Sequence, residues 1–298
     1  MSLFAFLGTL EIGLIYGLVA LGVYLTFRIL DFPDLTVDGS FPMGGAVVAT
    51  AIVAGMNPWL ATVLAFLAGA ASGLVTAFLA VRCGILHLLA SILTMIAAFS
   101  INIRIMGRPN MALLGDATIF TPFENMGVDP TYARLAVVFG LVLLSFLFII
   151  RLLSSDFGLA LRATGVNEQM VAAQGGSTAL YTYFGLALSN GFVGFAGALF
   201  AMTSSFADVT SGVGTIVVGL AAVILGQTLL PGKRIWVAVL AVIIGSILYR
   251  LAVAFALSSG MFGMQPSDLN LITATLVAAA LIVPKMKGKL QFKKSAKA

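Results

Sequence analysis

A succession of long apolar runs governs what this chain can fold into. The first covers 3–27, carries a single charge at Glu11, and stops at Arg28. Further runs cover about 41–56, 58–81, 85–107, 131–153, 179–204, 211–230, 235–257 and 268–284. Most are near the roughly 20 residues that a helix needs to cross a bilayer. They are continuous rather than alternating, which excludes a transmembrane β-barrel. Composition agrees: of 298 residues, 60% are apolar and 9% charged, against about 25% charged in an ordinary soluble domain. A soluble fold of this size has no such shortage of polar surface. The expected fold class is an all-α polytopic membrane protein with about nine transmembrane helices, eight to ten being compatible with the runs. The runs at 41–56 and 211–230 are short or glycine-rich and read as broken or re-entrant. No Ser/Gly/Pro linker divides the chain, so 1–298 is one membrane domain.

Rare residues narrow the chemistry. One cysteine, Cys83, and one histidine, His87, exclude an internal disulfide and a thiolate or multi-histidine metal site. No metal is expected. The net charge of +5 does not point to nucleic acid, because six of the sixteen basic residues lie in the tail at 285–298. That tail reads as a cytoplasmic segment near anionic lipid. With it inside, Arg28, Arg82, Arg151, Arg162, Lys233 and Arg234 also fall inside, and nine spans put the N-terminus outside. The stretch 108–130 is then an external loop and 154–178 a cytoplasmic one.

Two short motifs resemble each other. Asp34-Leu-Thr36-Val-Asp38-Gly39 is similar to Asp208-Val-Thr210-Ser-Gly212, 174 positions later. Each follows and precedes a glycine-rich apolar run, and the two fall on opposite sides, the arithmetic of an inverted repeat. Asp38 or Ser40 is expected to cap the helix that follows. Glu11, Asp34, Thr36, Asp38, Ser40, Asp208 and Thr210 are the translocation-path candidates, since an embedded carboxylate is costly. Embedded Asn102, Asn190 and Gln227 are expected to bond between helices. Gly69, Gly73, Gly191, Gly194 and Gly197 are expected to permit close packing.

The 154–178 loop is too polar to span, yet Leu159, Leu161, Ala163, Val166, Met170, Val171 and Ala173 punctuate it. Asn167 is placed to cap a short helix over 168–174. The pattern Gly158, Arg162, Ala163, Gly165, Asn167, Ala172, Gly175, with Glu168 beside Asn167, resembles the coupling segment of ABC importer permeases of the branched-chain amino-acid and ribose-type group. The stretch Asp34-Leu-Thr36-Val-Asp38-Gly39-Ser40 resembles the Asp-Leu-Ser-Val-Gly motif of the ribose-type members, with Asp38 as a departure. The resemblance implies a permease subunit whose short cytoplasmic helix seats in a separate ATPase. No G-x-x-x-x-G-K-[ST] motif is present, and Gly232-Lys233-Arg234 does not supply one. The chain is therefore expected to be a transporter subunit rather than an enzyme, without its own cofactor, ATP and magnesium being bound by the partner. Further implied partners are an extracytoplasmic solute-binding protein, a second permease subunit in a homodimer or heterodimer, and membrane lipid. The expected setting is a bacterial inner membrane, and the expected cargo a small polar solute, an amino acid ahead of a sugar. The rival reading is an ion- or proton-coupled secondary transporter, which an inverted repeat also permits.

Overall fold

The computed structural model describes residues 3–124, 129–232 and 234–258, with Thr275 and Ala278 as isolated positions. The run at 268–284 and the tail at 285–298 lie outside the described residues, apart from those two positions. Within them, seven helices are long and apolar enough to cross a membrane, and an eighth apolar helix is shorter. Eight of the nine expected runs are therefore helices among the described residues, seven of full length and one short, and the ninth lies outside them.

α1 (Leu3–Val23) continues as a π-helical turn over Tyr24–Ile29 and ends beside Arg28. The short helix is α2 (Val37–Val53). α3 (Pro58–Ala77) begins at the Asn57 cap with proline in its first turn, where the missing N–H costs nothing. It also ends in a π turn, at Phe78–Arg82. α4 (His87–Met106) stops at Gly107, whose φ of 68° is a left-handed helix end. Strand β1 (Asn110–Ala112) and the single turn α5 (Thr121–Glu124) follow. α6 (Pro130–Leu153) is capped by Asp129. Two short helices, α7 (Asp156–Val166) and α8 (Glu168–Ala173), lead into α9 (Thr178–Ser204). Strand β2 (Phe206–Asp208) and a 3-10 turn (Val209–Gly212) precede α10 (Thr215–Leu229), and α11 (Ile235–Ser258) closes the described bundle.

β1 and β2 pair antiparallel, with Met111 opposite Ala207. This ties the 108–130 loop to the end of α9. α8 joins the other end of α9, so the molecule has a β1–β2 end and an α7–α8 end. At 1.5 Å per residue, the 27 residues of α9 span about 40 Å between them.

α9 is the central post, and glycine sets its packing. A Cβ at Gly44 of α2 would run into the Gly194 backbone, and one at Gly197 into the Phe41 carbonyl. On α3, Gly69 meets the Asn190 carbonyl and Gly73 the Leu186 carbonyl. α2, α3 and α9 thus touch main chain to main chain, as small residues allow in a membrane bundle. The expected packing role of Gly69, Gly73, Gly191, Gly194 and Gly197 is what the structure contains.

Candidate functional site

Polar residues are concentrated where α2 starts. Thr36 N–H donates to Asp34 Oδ1 at 2.9 Å, an Asx turn. Asn190 Nδ2 of α9 donates to Asp34 Oδ2 at 2.7 Å. The Ser40 hydroxyl meets Asn190 Oδ1 at 2.7 Å and Ser72 Oγ of α3 at 2.5 Å. Thr36 Oγ1 and Thr76 Oγ1 are 2.7 Å apart. Asp34, Thr36, Ser40 and Asn190 all have zero exposure. They are bonded between helices inside the bundle and face no open channel in this conformation. Ser72 and Thr76 are partners the sequence reading missed. Their signal was available, because they lie one helical turn apart in register with Gly69 and Gly73.

Asp38 departs from its expected role. Neither it nor Ser40 caps α2; the N-cap of α2 is Thr36, with no side-chain bond to the helix. Asp38 instead reaches across to α10. Gly214 N–H donates to Asp38 Oδ2 at 3.0 Å and Ile216 N–H to Asp38 Oδ1 at 2.8 Å. A carboxylate from one helix therefore satisfies the free N–H groups, and the positive dipole end, of another. Pro42 makes the approach possible. It has no N–H to bond the Asp38 carbonyl one turn back. Gly212 fits into that notch, where a Cβ would run into the Asp38 carbonyl and the Pro42 ring.

The two short helices leave this junction in opposite directions. α2 runs to the β1–β2 end, where Thr50 Oγ1 donates to the Ile105 carbonyl. α10 runs to the α7–α8 end, where Gln227 shares a cavity wall with Arg28 and Arg162. At 17 and 15 residues they are about 25 and 22 Å long, short of the roughly 30 Å hydrocarbon core. The turn at 30–36, mostly buried, precedes α2, and the 3-10 turn at Val209–Gly212 extends α10 to the 21-residue span Val209–Leu229, with Thr210 and Val213 exposed. Asp38 is half-buried and borders a cavity of about 340 Å³ with Pro42, Met95, Phe99, Ser100 and Val213.

Asp208 and Thr210 lie at the β1–β2 end of the 209–214 segment. Thr210 N–H and Oγ1 both donate to Asp208 Oδ1 at 2.6 Å, the same Asx turn that Asp34 makes with Thr36. Asn110 Nδ2 donates to Asp208 Oδ2 at 3.3 Å. Glu11 sits apart, between α1 and α9, and accepts from Thr203 Oγ1 at 3.1 Å. Asn102 Nδ2 donates to the Gly39 carbonyl at 3.2 Å, an interhelical bond as expected. The Arg250 guanidinium lies 3.7 Å from the centre of the Tyr16 ring.

The α7–α8 elbow is two helices rather than one. Asn167 is extended at the corner and caps α8, accepting from Met170 N–H at 2.9 Å. The residues of the coupling pattern divide by direction. A Cβ at Gly158 would run into the Leu152 and Leu153 backbone, and one at Gly165 into the Ile29 carbonyl. With buried Leu161 and Thr164 they fasten α7 to the ends of α6 and α1. Arg162 and Ala163 are half-buried on its flank, and Asn167, Glu168, Ala172 and Gly175 are exposed. Leu159, Val166 and Met170 also point outward, Val166 at 88% exposure.

Broken helices meeting at a polar junction, and a helical elbow beyond the bundle, define a multi-pass membrane protein built like a transporter. The family model for the permease component of branched-chain amino-acid transport systems matches residues 5–283, and the chain belongs to that permease family. It is 39% identical over 268 residues to a tyrosine transport system permease protein of Clostridioides difficile, covering 90% of this chain and 87% of that one. It is 25% identical to a probable branched-chain amino-acid transport permease protein, LivH, of Methanocaldococcus jannaschii, covering 90% of each. Among solved structures, a chain of PsaBC from Streptococcus pneumoniae in complex with Fab aligns over 94% of this chain and 91% of that chain. Its TM-score is 0.52 at 15% identity, a likeness of fold.

Proposed function

We propose that this permease is the membrane-spanning subunit of an ABC importer for an amino acid, working by alternating access. The observation that carries the reading is the two-sided α7–α8 elbow. One side is fastened to α1 and α6 through Gly158, Leu161 and Gly165. The other presents Leu159, Val166 and Met170 to solvent on an otherwise polar segment, the mark of a docking surface. A separate ATPase, holding ATP and magnesium, seats there, so the α7–α8 end is cytoplasmic and the membrane is the bacterial inner membrane. Movement of the elbow passes to α1 and α6 by direct backbone contact. ATP then biases two conformations of the permease, and the permease itself makes and breaks no bonds.

The opposed helices α2 and α10 are the moving parts of this reading. Their matching Asx turns, at Asp34–Thr36 and Asp208–Thr210, support an inverted repeat. In it Asp38 joins the two halves and borders the path, while Asp34, Thr36 and Ser40 brace it from behind. A solute-binding protein delivers cargo at the β1–β2 end, and a second permease subunit completes the path. An amino acid is the cargo because the named relatives are amino-acid permeases, and tyrosine is the first to try.

Uptake into liposomes tests the proposal. Permease, ATPase and solute-binding protein are reconstituted together, with ATP inside the vesicles. Labelled amino acid should accumulate only with ATP. Uptake driven by an ion or proton gradient in the absence of ATPase would establish the secondary-transporter reading instead.

A further inference from the structure

We propose that a basic cavity at the α7–α8 end binds the phosphate of an anionic phospholipid from the adjacent leaflet. The cavity holds about 510 Å³, within the usual range of ligand sites. Three arginines from separate parts of the chain line it. Arg28 comes from the π turn after α1, Arg162 from α7, and Arg234 from the α10–α11 connection. Among the described residues no carboxylate lines it, and the one ion pair is Arg134–Glu124. Three like charges around one cavity repel each other unless an anion sits between them. Tyr24 lies within electrostatic range of Arg28 and Arg162, and Gln227 shares the wall. Both add hydrogen-bond donors to the guanidinium forks, which match phosphate oxygens in pairs.

The rest of the lining favours lipid over a free anion. Leu153 and Ile235 contribute apolar wall beside the arginines, suited to a glycerol backbone and the first methylenes of an acyl chain. The site lies where α1, α6 and α10 end and α11 begins, the level at which headgroups sit. Trp236, the next residue of α11, is 47% exposed, and tryptophan favours that level. The exposed apolar face of α7–α8 belongs to Leu159, Val166 and Met170, whereas Arg162 lies on the flank of α7. Arg162 stands three residues from Leu159 and four from Val166, so the ATPase surface and the cavity adjoin along α7, whereas Arg28 and Arg234 lie outside the elbow.

The full-length chain, purified and delipidated in detergent, is the test material. Phosphatidylglycerol should raise its melting temperature by several degrees; phosphatidylcholine should not. Inorganic phosphate at the same concentration should give a much smaller rise. Arg28→Gln with Arg234→Gln should weaken the phosphatidylglycerol effect by about tenfold in concentration, near 1.4 kcal/mol. Equal response to the two lipids overturns the proposal, and so does an unchanged response in the double variant. A full response to inorganic phosphate replaces the lipid with a free anion. Loss of ATPase co-purification with the lipid response intact makes the cavity a protein contact and overturns it as well. If the double variant does not fold, native mass spectrometry of the unaltered chain decides. One phosphatidylglycerol retained per protomer against excess phosphatidylcholine supports the site; a lipid distribution that follows the bulk mixture overturns it.

Discussion

Asp34 and Asn190 are 156 positions apart in the chain and share a 2.7 Å hydrogen bond at zero exposure. Asn190 uses three of the four hydrogen-bonding positions of its amide. Nδ2 donates to Asp34 and to the Leu186 carbonyl, and Oδ1 accepts from Ser40. One side chain on α9 therefore holds the turn before α2 and the first turns of α2 itself.

Asn190→Ala should remove both links at once. It leaves a buried Asp34 carboxylate oxygen short of a partner, at about 1–3 kcal/mol, while the Ser40 hydroxyl keeps Ser72 and the Thr36 carbonyl. A fall in detergent melting temperature, with poor membrane accumulation, is the expected result. Asn102→Ala, which removes one bond to the Gly39 carbonyl, should cost less in the same assay.

Asp38 separates capping from charge. Asp38→Asn keeps an oxygen for the α10 N–H groups, and asparagine caps nearly as well as aspartate. It should assemble and retain much of its uptake. Asp38→Ala loses both acceptors and should cost about 1 kcal/mol in stability and most of the transport. Comparing initial uptake rates of the two at equal assembled complex reads the difference. Loss of uptake in Asp38→Asn with assembly intact would assign the charge itself a role in the path.

The two sides of the elbow should fail in different ways. Met170→Asp places a charge on the exposed face and should abolish ATPase co-purification while the permease keeps its melting temperature. Gly165→Leu drives a side chain into the Ile29 carbonyl and should destabilise the permease alone by about 1–3 kcal/mol. Differential scanning fluorimetry with pull-down distinguishes them.

Sidedness can be read with thiols. Cys83 is exposed at the α7–α8 end and should resist an impermeant maleimide in intact cells. Asn110→Cys in a Cys83→Ser background, at the edge of β1, should react. Labelling of Cys83 from outside would invert the orientation.

Helix positions were largely legible because apolar runs and caps are local properties. Asn57, Asp129 and Asn167 each cap where a polar residue precedes a run. The glycine pairs on α3 and α9 were legible as packing signals for the same reason. What Asp38 does was not. A helix start with Asp in its first turn reads as self-capping, and nothing near residue 38 shows that Gly214 and Ile216 stand opposite. Only the second helix of the elbow was legible, through its Asn167 cap; α7 was hidden because Gly158 and Gly165 read as breaks and instead sit inside the helix at close backbone contacts. The arginine cavity was also hidden. Arg28, Arg162 and Arg234 belong to a π turn, a helix and a connection far apart in sequence, and only folding brings them to one wall.

The seam between α2, α3 and α9 bears on how this protein tolerates mutation. Its closest contacts are made by main-chain atoms, which substitution does not alter, and are admitted by a few glycines. Exposed positions such as Leu144 and Leu147 should accept almost any apolar residue. At Gly44, Gly69, Gly73 and Gly197 even one added methyl meets a backbone that has nowhere to go. A random-substitution library should therefore show a nearly binary map: broad permissiveness along the outer faces of the helices, and a narrow line of intolerance down the centre of the bundle.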